Sequence, residues 1–521
     1  MTSPSRARSD APSPTAVAEA LAEIRRADPA AVITEADPGV TSVRIAPHRL
    51  EAAAARLATL AGVRFADLFG AGTPPMLHVI YAVDAGHQYL HLSSSAVDNR
   101  LPNLSSSTPA AFVEECELFE QFGLHPAADS PLNRLAMPPH IGDLPRLGNV
   151  EGVQANVHAA HAVEGHAFEF PVGPVRGVAT ESLYYGLVTS GEEVVDLYLF
   201  TWHKHRGIER RLNGLFPERA LFYVERAEGL SAVANTWAFA AAVERAQQLT
   251  VQPRAAVARG IYLELERLYN HAACLAALGQ ATGILVGQAH AEIALEKFLR
   301  LNAAVAGHRY LFGTISLGGV DRLPDLDLLA RMLGDVHTEF HHVLDPLLRT
   351  NSFVDRLEAT GLLSTRSAHD LGLVGPIARG TGVPADARAD HPHAPYDNDF
   401  LRPITAGAGD ALARLQVMAA EVDASTQMIR GWAQADLPPT PLDSSRPPRN
   451  GSALGWAESA RGESLAWVNL DDHGRIQRAR LRPASVRNWR AFDDAVRSQN
   501  VFTDVPIIEA SFWLTVAGRA L

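Results

Sequence analysis

The sequence predicts an α+β protein, in which a small N-terminal α+β domain precedes a helix-bundle core flanked by a β-hairpin and further α/β pieces. Three observations carry this. Helix-like Ala/Leu/Arg stretches alternate with short strand-like runs up to about residue 125, four consecutive segments between about Ala232 and Pro346 repeat their apolar residues every three or four positions, and strand-like runs bracket that block on both sides.

Residues 1–14 are Pro/Ser-rich, with no apolar run behind the arginines, and read as a disordered leader rather than a signal peptide; the chain is expected to stay in the cytoplasm. Over residues 15–125, AVAEALAEIRRA and HRLEAAAARLATLAG read as helices, MLHVIYAVD and YLHLSSSAV as strands, and PAAFVEECELFEQFG as an acidic helix. Residues 126–160 are punctuated by proline and are expected to form a linker or an extended arm. A second domain is expected over 161–521. It begins with FEFPVGPVRG and SLYYGLVTSGEEVVDLYLF, strands of a hairpin closed at Ser190-Gly191.

The four periodic segments, AVANTWAFAAAVERAQQL, ARGIYLELERLYNHAACLAALG, GQAHAEIALEKFLRLNAAVAG and LDLLARMLGDVHTEFHHVLDPLL, form a helix bundle with Leu, Ala and Val inward. The uncharged span between His271 and Glu292 is interrupted by Gln280, Gln288 and His290, which is too polar for a membrane span and is expected to be a buried helix. GDALARLQVMAAEVDASTQMIRGWAQ supplies another long helix. A Pro/Ser-rich loop then leads to the strand-like SLAWVNLDDHGRIQRARLRP.

Composition narrows the function. With 47% hydrophobic residues in 521, more than one core can be buried, and length suggests two to four domains. Net charge is −12 and no basic run stands out, so nucleic-acid binding is not supported. Cys116 and Cys274 are the two cysteines, too few for a disulfide framework, an all-thiolate zinc site or a chain-borne iron–sulfur cluster. Any redox centre must come from a partner or a ligand.

Taken one by one, the local signals are weak. His337 and His341 lie at i,i+4 with Glu339 between them, which is not HExxH, and a solvated helix face is preferred over a metal site. His391 and His393 are read as a surface loop. No Walker loop, GxGxxG after a strand, or GxSxG elbow occurs.

Several ordered motifs, taken together, resemble one superfamily. ECELFEQFGLHP resembles the signature helix of the 30-kDa subunit of complex I, with Cys116 where that family has arginine. HRGIER, ARGIYLELERLYNHAACLAALG, GHRYLFGTISLGGV, DLGLVGPIARGTGVPADAR, GDALAR, ESARGES and RPASVRNW resemble, in order, the 49-kDa subunit and the large subunit of group 4, formate hydrogenlyase-type nickel–iron hydrogenases. The resemblance covers roughly residues 50 to 521 and implies a fused 30-kDa/49-kDa arrangement with a hydrogenase large-subunit-like second domain.

The departures decide what the resemblance implies. Where such hydrogenases carry a CxxC followed by a histidine, this chain has Glu228, Ser231 and Asn235; where they end in a second CxxC, it has Thr515 and Gly518. Nickel is therefore not expected, because hydroxyl and carboxylate oxygens do not replace soft thiolates. The positions matching the quinone pocket of complex I hold Arg176, Gly229 and Ala281. Glu209 resembles the proton-passing glutamate of hydrogenases, or else forms a surface salt bridge with Arg206 or Arg210; Arg461 resembles the arginine beside the active site.

On this resemblance Glu209, Glu228 and Arg461 are the expected catalytic positions, and Arg176, Ser231, Asn235 and Thr515 the expected cofactor-binding ones. Glu228, Ser231 and Asn235 are expected on one helical face opposite Arg461 and Thr515, with Glu228 and Arg461 paired within about 4 Å. The implied role is a peripheral subunit on the inner face of the cell membrane, in a complex I-like or hydrogenase-4-like oxidoreductase. The alternative is a non-catalytic scaffold or coupling subunit of such a complex. No cofactor is expected on this chain alone. An iron–sulfur small subunit with a 4Fe–4S cluster, antiporter-like membrane subunits and a quinone or another small acceptor are the implied partners.

Overall fold

The computed structural model describes residues 14–37, 39–125, 167–175, 181–396, 401–434 and 449–521. The expected leader up to residue 13, the 126–160 linker and Arg176 lie outside the described residues. The chain divides into two compact units, a smaller one of Met1–Arg134, Asp143–Val153 and Asp390–Pro392 and a larger one of Leu135–Gly142, Gln154–Ala389 and His393–Leu521.

The smaller unit contains α1 (Pro14–Ala27), β1 (Val32–Asp37), β2 (Val40–Arg44), α2 (Leu50–Leu57), β3 (Val63–Ala71), β4 (Met76–Val83), β5 (Gln88–Ser95) and α3 (Phe112–Phe122). The strands form one sheet in the order β1-β2-β5-β4-β3, antiparallel except for the parallel pair β2–β5. The core gathers Ile24, Leu50, Leu57, Leu68, Val79, Leu92 and Phe122. The strand β3 escapes the sequence reading because Ala66 to Ala71 are buried in succession, which removes the alternation that marks a half-buried strand. The acidic helix α3 is not a solvated one. Its Glu115 is buried and accepts from Leu104 N at 2.5 Å and from Ser105 N at 3.0 Å.

In the larger unit β6 (Phe168–Val172), β7 (Tyr184–Ser190) and β8 (Glu193–Phe200) form an antiparallel sheet. Two short helices follow, α4 (Ile208–Leu212) and α5 (Pro217–Val224). The bundle is α6 (Ala232–Gln247), α7 (Pro253–Ala281), α8 (Leu285–Ala306) and, after the small hairpin β9 (Ile315–Ser316) and β10 (Gly319–Val320), α9 (Leu326–Leu348). Next come α10 (Asn351–Leu357), α11 (Thr365–Asp370), α12 (Gly375–Gly380), α13 (Ala387–Asp390) and the long α14 (Ala411–Ala433). The sheet β11 (Gly451–Ser459), β12 (Gly462–Leu470) and β13 (Ile476–Arg482) precedes α15 (Ala484–Arg497) and α16 (Val505–Phe512).

The four periodic segments are thus four helices, and the strands of both units form small sheets. One expectation fails: the span from His271 to Glu292 is not a single buried helix. Gly283, at φ +77°, breaks it, and Leu285 and Val286 at the start of α8 are 66% and 73% exposed. Helix α6 packs on β11 and β12, α14 packs on α7, α9 and α12, and α16 packs on α7. This arrangement brings the β11–β12 turn, the start of α6, the middle of α7 and the C-terminal segment together.

Candidate functional site

Arg461 occupies the two-residue turn between Ser459 and Gly462, whose strands pair in register on either side. The turn is held from behind. Asn488 of α15 donates to Arg461 O at 3.1 Å and to Val374 O at 3.0 Å, and Gly375, at φ +68°, lies so close that a Cβ there would come within 2.1 Å of Arg461 O. The side chain, on a residue 3% exposed, runs inward and donates to Ser231 Oγ at 3.0 Å, Asn270 Oδ1 at 3.0 Å, Leu230 O at 3.4 Å and Trp513 O. Trp513 donates from its indole to the same Asn270 oxygen at 3.0 Å, so one amide of α7 joins the turn to the C-terminal segment.

Glu228 is fully buried and precedes α6 by a single 3-10 turn. Its Oε1 accepts from Ser485 Oγ at 2.5 Å and from Thr515 Oγ1, while Oε2 has no hydrogen-bond partner among the described residues. A Cβ on Gly518 would lie 3.6 Å from the same Oε1. The C-terminal segment is fixed by Glu181, which accepts from Val516 N and from Ala517 N at 3.0 Å, and by Arg206, which donates to Ala517 O at 2.6 Å and to the carbonyls of Arg226 and Ala227.

Electrostatically the pocket is crowded with acids. Glu266 of α7 caps the start of α6, accepting from Val233 N at 2.7 Å and Ala234 N at 3.2 Å. Burial pushes its carboxyl up to about 8 against those two donors and Arg461, and the charge of Glu228 adds to the rise. The Glu181 carboxyl is raised for the same first reason, burial, with Glu228 again contributing. Cys274, the one cysteine of this unit, donates to Ala510 O at 3.3 Å, and burial pushes its thiol up to about 12, so it is a protonated core residue rather than a thiolate.

The sequence expectations are met unevenly. Glu228, Ser231, Thr515 and Arg461 converge as expected, and Gly518 joins them. The pairing does not follow the expectation: Glu228 and Arg461 form no ion pair within 4 Å, since Arg461 is taken by Ser231 and Asn270 and Glu228 by Ser485 and Thr515. Nor do Glu228, Ser231 and Asn235 share one helical face. Glu228 is extended, at φ −143° and ψ 94°, and Ser231 is the N-cap residue, so only Asn235 lies within α6. Asn235 is buried, and its Nδ2 has no partner among the described residues.

Glu209 is not at the surface. It is 4% exposed, accepts from Arg478 at 2.7 Å and Leu481 N at 2.9 Å, and lies 3.6 Å from Arg480, which ties α4 to β13 rather than to Arg206 or Arg210. His391, read as surface loop, is 1% exposed.

A second polar cluster was not foreseen. Arg267, Arg379 and Arg388 meet Glu264, Asp386, Glu421 and Glu458 in the interior between α7, α12, α14 and β11. Arg267 bonds Glu264 at 2.9 Å, Arg388 bonds Asp386 at 2.7 Å and Glu264 at 3.1 Å, and Arg379 bonds Glu458 at 3.0 Å and also Glu421. Tyr396 and Ser425 donate to Glu264 at 2.5 and 2.6 Å, and His271 lies 2.7 Å from Glu421. Burial works against ionising Glu264, yet Arg267 and Arg388 hold its carboxyl at about 2, and Arg379 holds Glu421 well below the carboxylate range. Glu458 goes the other way, raised by burial and by Asp386 beside it. Three cations face four acids, and Glu458 is the acid whose carboxyl is pushed toward its protonated form.

Comparison with known proteins agrees with this architecture. Residues 278–447 match the family described as the 49 Kd subunit of respiratory-chain NADH dehydrogenase. Formate hydrogenlyase subunit 5 of Escherichia coli is 27% identical over 428 residues, covering 79% of this chain and 75% of that protein. The carbon monoxide-induced hydrogenase of Rhodospirillum rubrum is 29% identical over 66% of this chain and 96% of its own. The fused C/D 2 component of NADH-quinone oxidoreductase from Aquifex aeolicus is 25% identical over 69% of this chain and 68% of its own, which supports a fused C/D-like form. Among solved structures, a chain of the membrane-bound sulfane sulfur reductase, an archaeal respiratory membrane complex, superposes with a TM-score of 0.64 at 23% identity, covering 69% of this chain and all of that one. The chain is thus a homologue of the large subunits of formate hydrogenlyase and hydrogenase-4 and of the fused C/D component of NADH-quinone oxidoreductase, and it carries a 49-kDa-type domain.

Proposed function

We propose that this chain is a peripheral subunit of a complex I-like or hydrogenase-4-like membrane oxidoreductase, on the inner face of the membrane, between an iron–sulfur small subunit and antiporter-like membrane subunits. Its homologues are named as subunits or components of such enzymes, and no described helix is long and apolar enough to cross a membrane. The second fact suits a subunit that reaches the membrane through others.

The observation that carries the finer reading is the pocket around Arg461. Positions 228, 231, 515 and 518, matched to the two thiolate pairs of the hydrogenases, converge there, but they present a carboxylate, two hydroxyls and a glycine. This donor set does not fit a nickel–iron centre, whose metals are held by soft sulfur, and no step is assigned to a metal. Arg461 donates to Trp513, Asn270 and Ser231, so the space about its guanidinium is filled by hydrogen-bonded groups. A filled position favours a coupling or scaffold role: the pocket holds α6, α7 and the C-terminal segment in register while a partner carries the 4Fe–4S cluster. A second reading, a site rebuilt for a quinone or another small acceptor, draws on the buried, unpartnered Glu228 Oε2 and Asn235 Nδ2, which a bound ligand could satisfy.

Isolation of the intact complex from membranes tests the proposal. The expected result is co-purification with an iron–sulfur small subunit and an isolated chain that is colourless and free of stoichiometric nickel. About one nickel per chain refutes it, as does iron–sulfur absorption from the chain alone. In the coupling reading, Glu228→Gln leaves electron transfer by the complex unchanged; a large loss would favour the acceptor reading.

A further inference from the structure

Helix α9 buries a stripe formed by Leu329, Leu333, Val336, Phe340, Val343, Leu344 and Leu347. His337 and His341 each follow a stripe residue, so they line its margin one turn apart, on the side where α14 packs. Asp423 of α14 meets both. Nε2 of His337 lies 2.7 Å and Nε2 of His341 2.8 Å from the same Asp423 Oδ1, and the three atoms lie within 4.8 Å of one another. The side chains are 24%, 27% and 44% exposed, so an ion can reach them from solvent.

We propose that His337, His341 and Asp423 bind one zinc-class divalent ion, which clips α9 to α14 and keeps a water in its fourth position. A plain bridge between helices needs one imidazole on the carboxylate; here two donors crowd one oxygen and neither bonds Oδ2. A single cation replaces both protons and draws all three atoms onto itself. Zinc bonds of about 2.0–2.2 Å place tetrahedral donors roughly 3.3 Å apart, so the two nitrogen–oxygen separations need open by only about half an ångström. Two imidazoles select zinc, copper, nickel or cobalt over magnesium and calcium.

The surroundings prepare the ligands. His341 Nδ1 lies 3.5 Å from Asp345 one turn on, the carboxylate–histidine arrangement that leaves Nε2 for the metal. Glu339, between the histidines, is drawn away by Lys297 at 2.6 Å.

Zinc titration of the full metal-free chain, compared with the double variant His337→Gln/His341→Gln and with Asp423→Asn, tests the site. The expected result is one tight equivalent in the wild type, at least tenfold weaker in both variants, with an added-zinc rise in unfolding midpoint that the variants lack. Equal zinc stoichiometry and affinity in all three proteins overturns the proposal. Should a variant misfold, X-ray absorption on the zinc-loaded wild type decides: two imidazoles with oxygen donors support the site, and one imidazole or sulfur ligation overturns it.

Discussion

The two buried polar clusters of the larger unit are built on opposite terms. Around Arg379, cations and carboxylates face one another directly. Around Arg461, the guanidinium is held by an amide, a hydroxyl and carbonyls, while Glu228 is held by hydroxyls and keeps one oxygen bare. The first cluster sets three cations against four acids in direct contact. The second pairs no charges directly and leaves Glu228 Oε2 without a hydrogen-bond partner among the described residues. Burying an ion is costly unless it is paired, so removing a partner from the first cluster should cost more than removing one from the second.

This contrast can be broken. Arg379→Met strips the shared cation from Glu421, Asp386 and Glu458 and should cost about 3–5 kcal/mol in urea unfolding, the range for a buried ion left alone. A loss below about 1 kcal/mol would mean that the cluster is hydrated and behaves like a surface pair.

A smaller effect sharpens the description of the pocket. The folded-state carboxyl of Glu266 sits at about 8 against an ordinary 4.5, so the folded protein holds a proton there that the unfolded chain has released. Its contribution is intact below the unfolded value and is lost as pH rises through the folded one, at up to about 1.4 kcal/mol per pH unit in between. Unfolding of the wild type and of Glu266→Gln across that window should show a shallower decline in the variant. Parallel curves would place the proton elsewhere.

The smallest effect belongs to Thr515→Val, which removes one of the two hydroxyls on Glu228 and should cost about 1 kcal/mol, with Ser485 retaining its bond. No change at all would show that Ser485 alone satisfies the carboxylate.

Much of this fold is legible in the sequence because its signals are local. Pro253 at the start of α7 and Gly307 after α8 mark helix ends, and the 3.6-residue period fills the space between. Strands β3 and β11 are not legible, since each is buried on both faces and loses alternation. The pocket was legible by resemblance alone, because Glu228, Arg461 and Thr515 are separated by most of the domain. Its partners Asn270, Ser485 and Trp513 lie in or beside quoted motifs, but their pairing depends on tertiary packing. In the charge cluster Glu264 and Arg267, at i,i+3, and Asp386 and Arg388, at i,i+2, are neighbours in sequence; Arg379, Glu421 and Glu458 come from separate elements and carry no spacing signal. The His337/His341 pair was legible as spacing, whereas its third member, Asp423, arrives from another helix.

The reach of the Arg267 side chain has a kinetic consequence. It bonds the carbonyls of Glu458 and Ser459, 191 and 192 residues away, while Ser425 reaches back 161 residues to Glu264. Loops of that length close at an entropic cost that only later contacts repay. The buried acids and arginines of α7, α12 and α14 are completed only by groups of β11, so the cluster cannot close before that strand is in place. Closure of the cluster is therefore tied to a contact between segments almost two hundred residues apart, which raises the contact order of this unit.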